Sequence, residues 1–262
     1  MFLALASAGF RIEAGFRAKF WTLVIGGIIN VTARVSIWQS VFQYGAGSTD
    51  ISLAQMVTYS ILEATLLTTW DVNQLVREMR ADIVSGDVVN HLTRPYHYPV
   101  SLFARQLGVR LHETLMVGIP VIILMGAIYG LQPPASFGHA MMFAVSLALS
   151  IFLLFTIIIA VLMIGFWMTD FLTLEWLLRG TLAFFSGGLV PLWFYPDVIA
   201  GVIRHLPFAW ISFYPLAIYL GQLDLMSSLL HLLYGFGWAA IMAFVVTLIW
   251  RAACRRMTVQ GG

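Results

Sequence analysis

The sequence predicts an all-α, polytopic membrane protein: six transmembrane helices, an N-terminal interfacial helix, and re-entrant half-helices before the last span. Three observations predict it. Only 10% of the 262 residues are charged and 60% are hydrophobic, with a mean hydropathy of +0.89; ordinary soluble domains carry about 25% charged residues. Between Glu113 and Asp170 run 56 consecutive residues without Lys, Arg, Asp or Glu, and about 20 apolar residues span a bilayer. The 14 basic residues are also distributed very unevenly. A fold this poor in charge cannot cover its own surface in water, which excludes a water-soluble globular enzyme.

The elements follow in order. Met1–Phe10 is apolar, and Arg11, Glu13, Arg17 and Lys19 come after it, the reverse of the charge order in a cleaved signal peptide. Residues 3–19 therefore read as an amphipathic helix at the membrane surface. Spans are expected at Phe20–Trp38, Ile51–Trp70, Leu115–Leu131, Ala140–Met168, Gly180–Leu192 with its flanks, and Leu229–Trp250. The fourth is long enough to tilt or to project beyond the hydrocarbon. These boundaries put Arg11, Arg17 and Lys19 ahead of the first span, and Arg77, Arg80, Arg94, Arg105 and Arg110 between the second and third. Arg179 falls between the fourth and fifth, and Arg251, Arg255 and Arg256 follow the sixth, so twelve basic residues share one side. Only Arg204 lies opposite, and Arg34 is inside the first span. The positive-inside rule then places both termini in the cytoplasm. The single Cys254 excludes an intrachain disulfide and a cysteine metal cluster.

Two regions carry more than topology. In the loop after the second span, Val72, Leu75, Val76, Met79, Ile83 and Val84 keep helical spacing, so that span continues about three turns inward. Ser85-Gly86 breaks it, Asp87 caps a short helix over Val88–Thr93, and Pro95 bounds it. Val88, Val89 and Leu92 give this helix an apolar face that reads either as a docking surface for a soluble partner or as a loop packed back on the membrane. The second region, Pro191–Asp224, is apolar but broken by Pro191, Pro196, Pro207, Pro215, Gly201 and Gly221. Two half-helices near the outer face, about Pro196–His205 and Pro207–Leu220, fit it best. Non-helical backbone at that depth must be shielded, as in a gate. Trp193, Phe194, Tyr195, Trp210, Phe213, Tyr214 and Tyr219 are expected as an interfacial aromatic belt.

Arg34 and Glu63 are the deepest charges in the spans. Consecutive spans usually neighbour each other, so the two read either as a structural pair or as a substrate-facing site. Two other function classes meet the same residues. An intramembrane serine protease would need Ser186 activated by His231, but no G-x-S-G context surrounds the serine. His112-Glu113 lacks the second histidine of a zinc protease motif. A stand-alone secondary transporter would show repeated halves with paired broken helices, and only one broken segment is visible.

Glu78–Pro95 (EMRADIVSGDVVNHLTRP), Ser186–Pro196 (SGGLVPLWFYP), Leu206–Phe208 (LPF), Tyr214–Gly221 (YPLAIYLG) and Val259–Gly262 (VQGG) follow one another in the topology above. In that order they resemble the permease subunits of ABC-2 type exporters, in a bacterial branch without a fused nucleotide-binding domain. The resemblance implies a type V exporter-like architecture of one transmembrane domain over residues 1–262. It implies a coupling helix at Asp87–Thr93, with Glu78, Arg80, Gly86, Arg94 and Pro95 flanking it, seated in a groove of an ATP-binding subunit. It further implies a dimer of ATP-binding subunits carrying ATP and Mg, a second permease (identical or related) and a bacterial inner-membrane location. An outer gate would fall on Pro191, Trp193, Phe194, Tyr195 and Pro196. The chain itself would bind no metal or cofactor, meet lipid but no nucleic acid, and export an amphiphilic or hydrophobic cargo such as a drug, hydrophobic cation, peptide or lipid. Independently, a Walker A loop needs G-x-x-x-x-G-K-[ST], and the one lysine, Lys19, precedes Phe20. ATP must be hydrolysed on another chain.

Overall fold

The computed structural model describes residues 2–14, 17–45, 51–67, 72–85, 97–168 and 171–260, and all regular structure among them is helical. In chain order come α1 (Phe2–Ala14), α2 (Arg17–Gln43), and α3 (Leu53–Leu62) running into a π turn (Glu63–Leu67). Next are α4 (Val72–Ser85) and a rod made of α5 (Tyr98–Glu113), a second π turn (Thr114–Gly118) and α6 (Ile119–Tyr129). α7 (Phe137–Met163) closes in a 3-10 turn, and α8 (Phe171–Phe185) leads to a broken segment. That segment holds a 3-10 turn (Leu192–Phe194), α9 (Asp197–Ile203), another 3-10 turn (Pro207–Trp210) and α10 (Phe213–Tyr219) before α11 (Leu225–Gln260).

Local chemistry sets these boundaries. Ser52 and Gln55 form a reciprocal capping box at the start of α3. Gly130, at φ 85°, ends α6, and Ser136 caps α7 by accepting from the His139 N–H. Asp224 accepts from the N–H groups of Met226 and Ser227 to start α11. Those hydrogen bonds, from the Ser227 side chain first and the backbone next, hold the Asp224 carboxyl below its ordinary range. Pro120 lacks the N–H that would bond back to residue 116, and the backbone there relaxes into the second π turn.

Among the described residues, four stretches are long and apolar enough to cross a membrane: Lys19–Gln43, Tyr98–Tyr129, Phe137–Phe166 and Leu225–Arg255. α7 is the central one, with 67% of its apolar window buried against 11–22% in the other three. Its face from Leu149 to Met163 packs on α4, α8, α10 and α11. α1 lies directly on α5: a Cβ on Gly9 would strike the Arg105 carbonyl, and one on Gly108 the Ala6 carbonyl.

The structure departs from the sequence reading in three places. The segment 180–192 is not one helix. α8 starts at Phe171 and stops at Phe185, because Gly187 adopts φ 76°, which favours glycine and breaks the helix. Arg179, counted above with the inner loops, therefore lies within α8. The third helical rod begins at Tyr98, well before residue 115, so Arg105 and Arg110 belong to it. Four of the seven aromatic residues expected in an interfacial belt are buried inside the molecule instead. Trp210, Phe213, Tyr214 and Tyr219 are 2–8% exposed, because their rings fill the space that short, non-parallel helices leave beside α7.

Candidate functional site

Arg34, near the middle of α2, and Glu63, the first residue of the π turn after α3, are brought together: Arg34 Nη1 lies 2.7 Å from Glu63 Oε2. Glu63 is almost fully buried and Arg34 mostly so. A buried carboxylate is tolerable only when paired. Asn30, one helical turn before Arg34, accepts from its Nε at 2.7 Å and fixes the guanidinium plane.

This pair holds the turn that follows α8. Arg34 Nη1 donates to the Gly188 carbonyl at 2.6 Å, and the buried Tyr59 hydroxyl donates to the Gly187 carbonyl at 2.8 Å. Within the turn, Ser186 Oγ accepts from the Gly188 N–H at 3.1 Å, while the Ser186 carbonyl accepts from the Phe213 N–H at 3.0 Å. Both glycines are required. Gly187 has the positive φ, and a Cβ on Gly188 would collide with Glu63 Oε1. Two helices thus clamp one turn of the broken segment through carbonyls that a helix would otherwise have consumed.

Beyond the clamp, Pro191 precedes the 3-10 turn and Pro196 sits at the N-cap of α9. Trp193 packs between Tyr59 and Phe213, at ring distances of 5.8 and 4.8 Å. Phe194 stacks on Trp38 of α2 at 4.7 Å. Tyr195 reaches back to α8, its hydroxyl donating to the Phe184 carbonyl at 2.9 Å. Trp193, Phe194 and Tyr195 therefore bridge α3, α2 and α8, with Pro191 and Pro196 bounding them.

Behind the turn lies a cavity of about 290 Å³ lined by Arg34, Glu63, Arg179, Ser186, Gly188 and apolar side chains of α7 and α8. Arg179 is the residue that sequence reasoning missed. Its Nε pairs with Glu175 Oε1 at 3.0 Å, one turn earlier on α8. The i, i+4 Glu–Arg spacing inside an apolar stretch was the available signal.

Glu78 on α4 accepts from Arg105 Nη2 at 2.9 Å and Gln106 Nε2 at 3.2 Å, bracing α4 against α5. Buried Arg110 donates to the Leu66 carbonyl, and Lys19 pairs with Glu113 at 3.3 Å. Arg80 is exposed on α4. Gly86, Asp87, Val88, Val89, Leu92, Arg94 and Pro95 lie outside the described residues.

Ser186 and His231 do not meet in one site. Ser186 lines the cavity above, while His231 lines a separate cleft with Trp210 and Tyr234 and donates from Nδ1 to the Ser227 carbonyl at 2.7 Å. Among the described residues, no three His, Cys, Asp or Glu side chains gather as a metal would need.

A family model described as ABC-2 family transporter protein matches residues 28–261, which takes in the clamp, the cavity, the broken segment and the Glu78 brace. No curated protein and no solved structure matches the chain.

Proposed function

We propose, since the chain belongs to the ABC-2 family of transporter proteins, that it is the permease subunit of an ATP-driven exporter. It sits in the bacterial inner membrane with both termini cytoplasmic. Its working unit is two permeases, identical or related, on a dimer of ATP-binding subunits that carry the ATP and Mg. The cargo is amphiphilic or hydrophobic. In this reading the chain crosses six times. The two short crossings are α3 with its π turn and α8, each 15 residues long and completed by flanking residues, since the hydrocarbon core needs about 20. The broken segment forms the outer half-helices, and residues 87–93 form the coupling helix.

The observation that carries the reading is the clamp. Arg34, Glu63 and Tyr59, on the first two crossings, hold the Ser186-Gly187-Gly188 turn at the root of the broken segment. α4 lies in the chain between the second crossing and the coupling stretch, and Glu78 ties it to α5. Nucleotide-driven movement at residues 87–93 thereby reaches both crossings that grip the outer segment, and separating them releases it.

Deleting residues 88–92 is expected to abolish co-purification of the ATP-binding subunit in mild detergent while membrane insertion persists. Co-purification at the wild-type level would overturn the coupling assignment.

A further inference from the structure

The cavity behind the clamp contains more charge than a clamp needs. Two arginines line it, each ion-paired and each more exposed than its carboxylate: 17% against 4% for Arg34 and Glu63, 40% against 15% for Arg179 and Glu175. Glu63 is wedged between Arg34 and the Gly188 backbone. Among the described residues Glu175 engages Arg179 through Nε alone, which leaves the two terminal nitrogens, with their planar fork of N–H donors, for a ligand. Ser186 Oγ accepts from Gly188 and keeps its own proton to donate. A molecule entering the cavity therefore meets donors, and Arg179 first.

Depth and shape define the ligand further. Arg179 lies six residues before the end of α8 at Phe185, about 9 Å at the helical rise, inside an apolar helix where a charge is a functional candidate by default. Apart from Ser212 the rest of the lining is apolar, including Leu154, Leu182 and Leu189, and Leu189 is 60% exposed. At about 290 Å³, the cavity is at the lower edge of the about 300–1,000 Å³ of drug-sized pockets, enough for a headgroup and its first methylenes.

We propose that this cavity binds the anionic headgroup, phosphate or carboxylate, of an amphiphile whose chain leaves past Leu189. Arg179 makes a two-pronged contact to the headgroup oxygens and Arg34 lends the second positive wall. The inference deepens the exporter reading, and rests on it for the bound molecule being cargo; the site itself stands on the cavity.

The test is equilibrium binding to the full chain in an uncharged maltoside detergent, with dodecyl phosphate, dodecyltrimethylammonium and inorganic phosphate as probes. Dodecyl phosphate is expected to bind at least tenfold tighter than dodecyltrimethylammonium, and Arg179→Gln to remove that margin. Glu175→Gln, which releases Nε, keeps the binding or tightens it. The double variant Glu175→Gln/Arg179→Gln leaves no bare carboxylate, so its loss of binding, with unfolding temperature retained, separates a binding role from a folding one. Undiminished binding of dodecyl phosphate to both Arg179 variants overturns the site, and equal or tighter binding of the ammonium overturns the headgroup class. Inorganic phosphate binding as tightly as dodecyl phosphate overturns the amphiphile in favour of a free anion. No ATP-binding subunit enters these measurements. Failure here with that subunit still co-purifying leaves the exporter reading intact, and binding here without any such subunit does the reverse.

Discussion

Arg34 and Glu63 share one set of partners with Gly188, so their substitutions cannot be additive. Arg34→Gln or Glu63→Gln alone leaves the opposite charge buried without its counter-charge, a loss of about 3–5 kcal/mol. Substituting both residues together is expected to recover much of it, since a neutral pair still packs; denaturant unfolding in detergent reads the cycle. Gly188→Ala attacks the same clamp from the other side, because the added methyl displaces the Glu63 carboxylate, and a lowered unfolding temperature is its expected signature. The two charges were legible in the sequence because ionisable groups are so costly in apolar spans that each stands out. Arg179 was not. Its partner Glu175, four residues away, made that stretch resemble a loop, although an i, i+4 pair on one helix face lowers the cost of both charges at membrane depth.

Among the elements, long uniform helices such as α7 announced themselves by length and composition, and the broken segment by its prolines. Boundaries set by one backbone torsion or one missing donor were harder to see. α8 ends at a positive-φ glycine, and the π turn before α6 follows from Pro120. Trp210, Phe213, Tyr214 and Tyr219 were misplaced because composition alone does not tell a ring at a headgroup from a ring beside α7. The crossing of α1 and α5 was equally invisible, since two isolated glycines on distant helices carry no pattern. Gly108→Leu is expected to cost about 1–3 kcal/mol through overpacking and to expose α1 to protease, read as a lower unfolding temperature together with cleavage between residues 2 and 17.

For the whole molecule, the strongest prediction is orientation. In a Cys254→Ser background, Tyr44→Cys, whose parent side chain is 86% exposed, should react with a membrane-impermeant maleimide in intact spheroplasts. Arg80→Cys, at an exposed position of α4, should react only after permeabilisation. The opposite pattern would invert the topology and place the clamp on the inner side.

The contact between α1 and α5 has a mechanical consequence. Gly9 and Gly108 leave backbone against backbone, with no layer of side chains to yield, so the two helices translate as one body. α5 begins at Tyr98, directly after the stretch proposed to receive the ATPase stroke, and α1 is the segment expected to float among the lipid headgroups. Under the proposed coupling, a push at Tyr98 swings an oar through the membrane surface. The drag of the lipids on that oar becomes part of the load on each cycle, which ties turnover to headgroup packing even where no lipid is cargo.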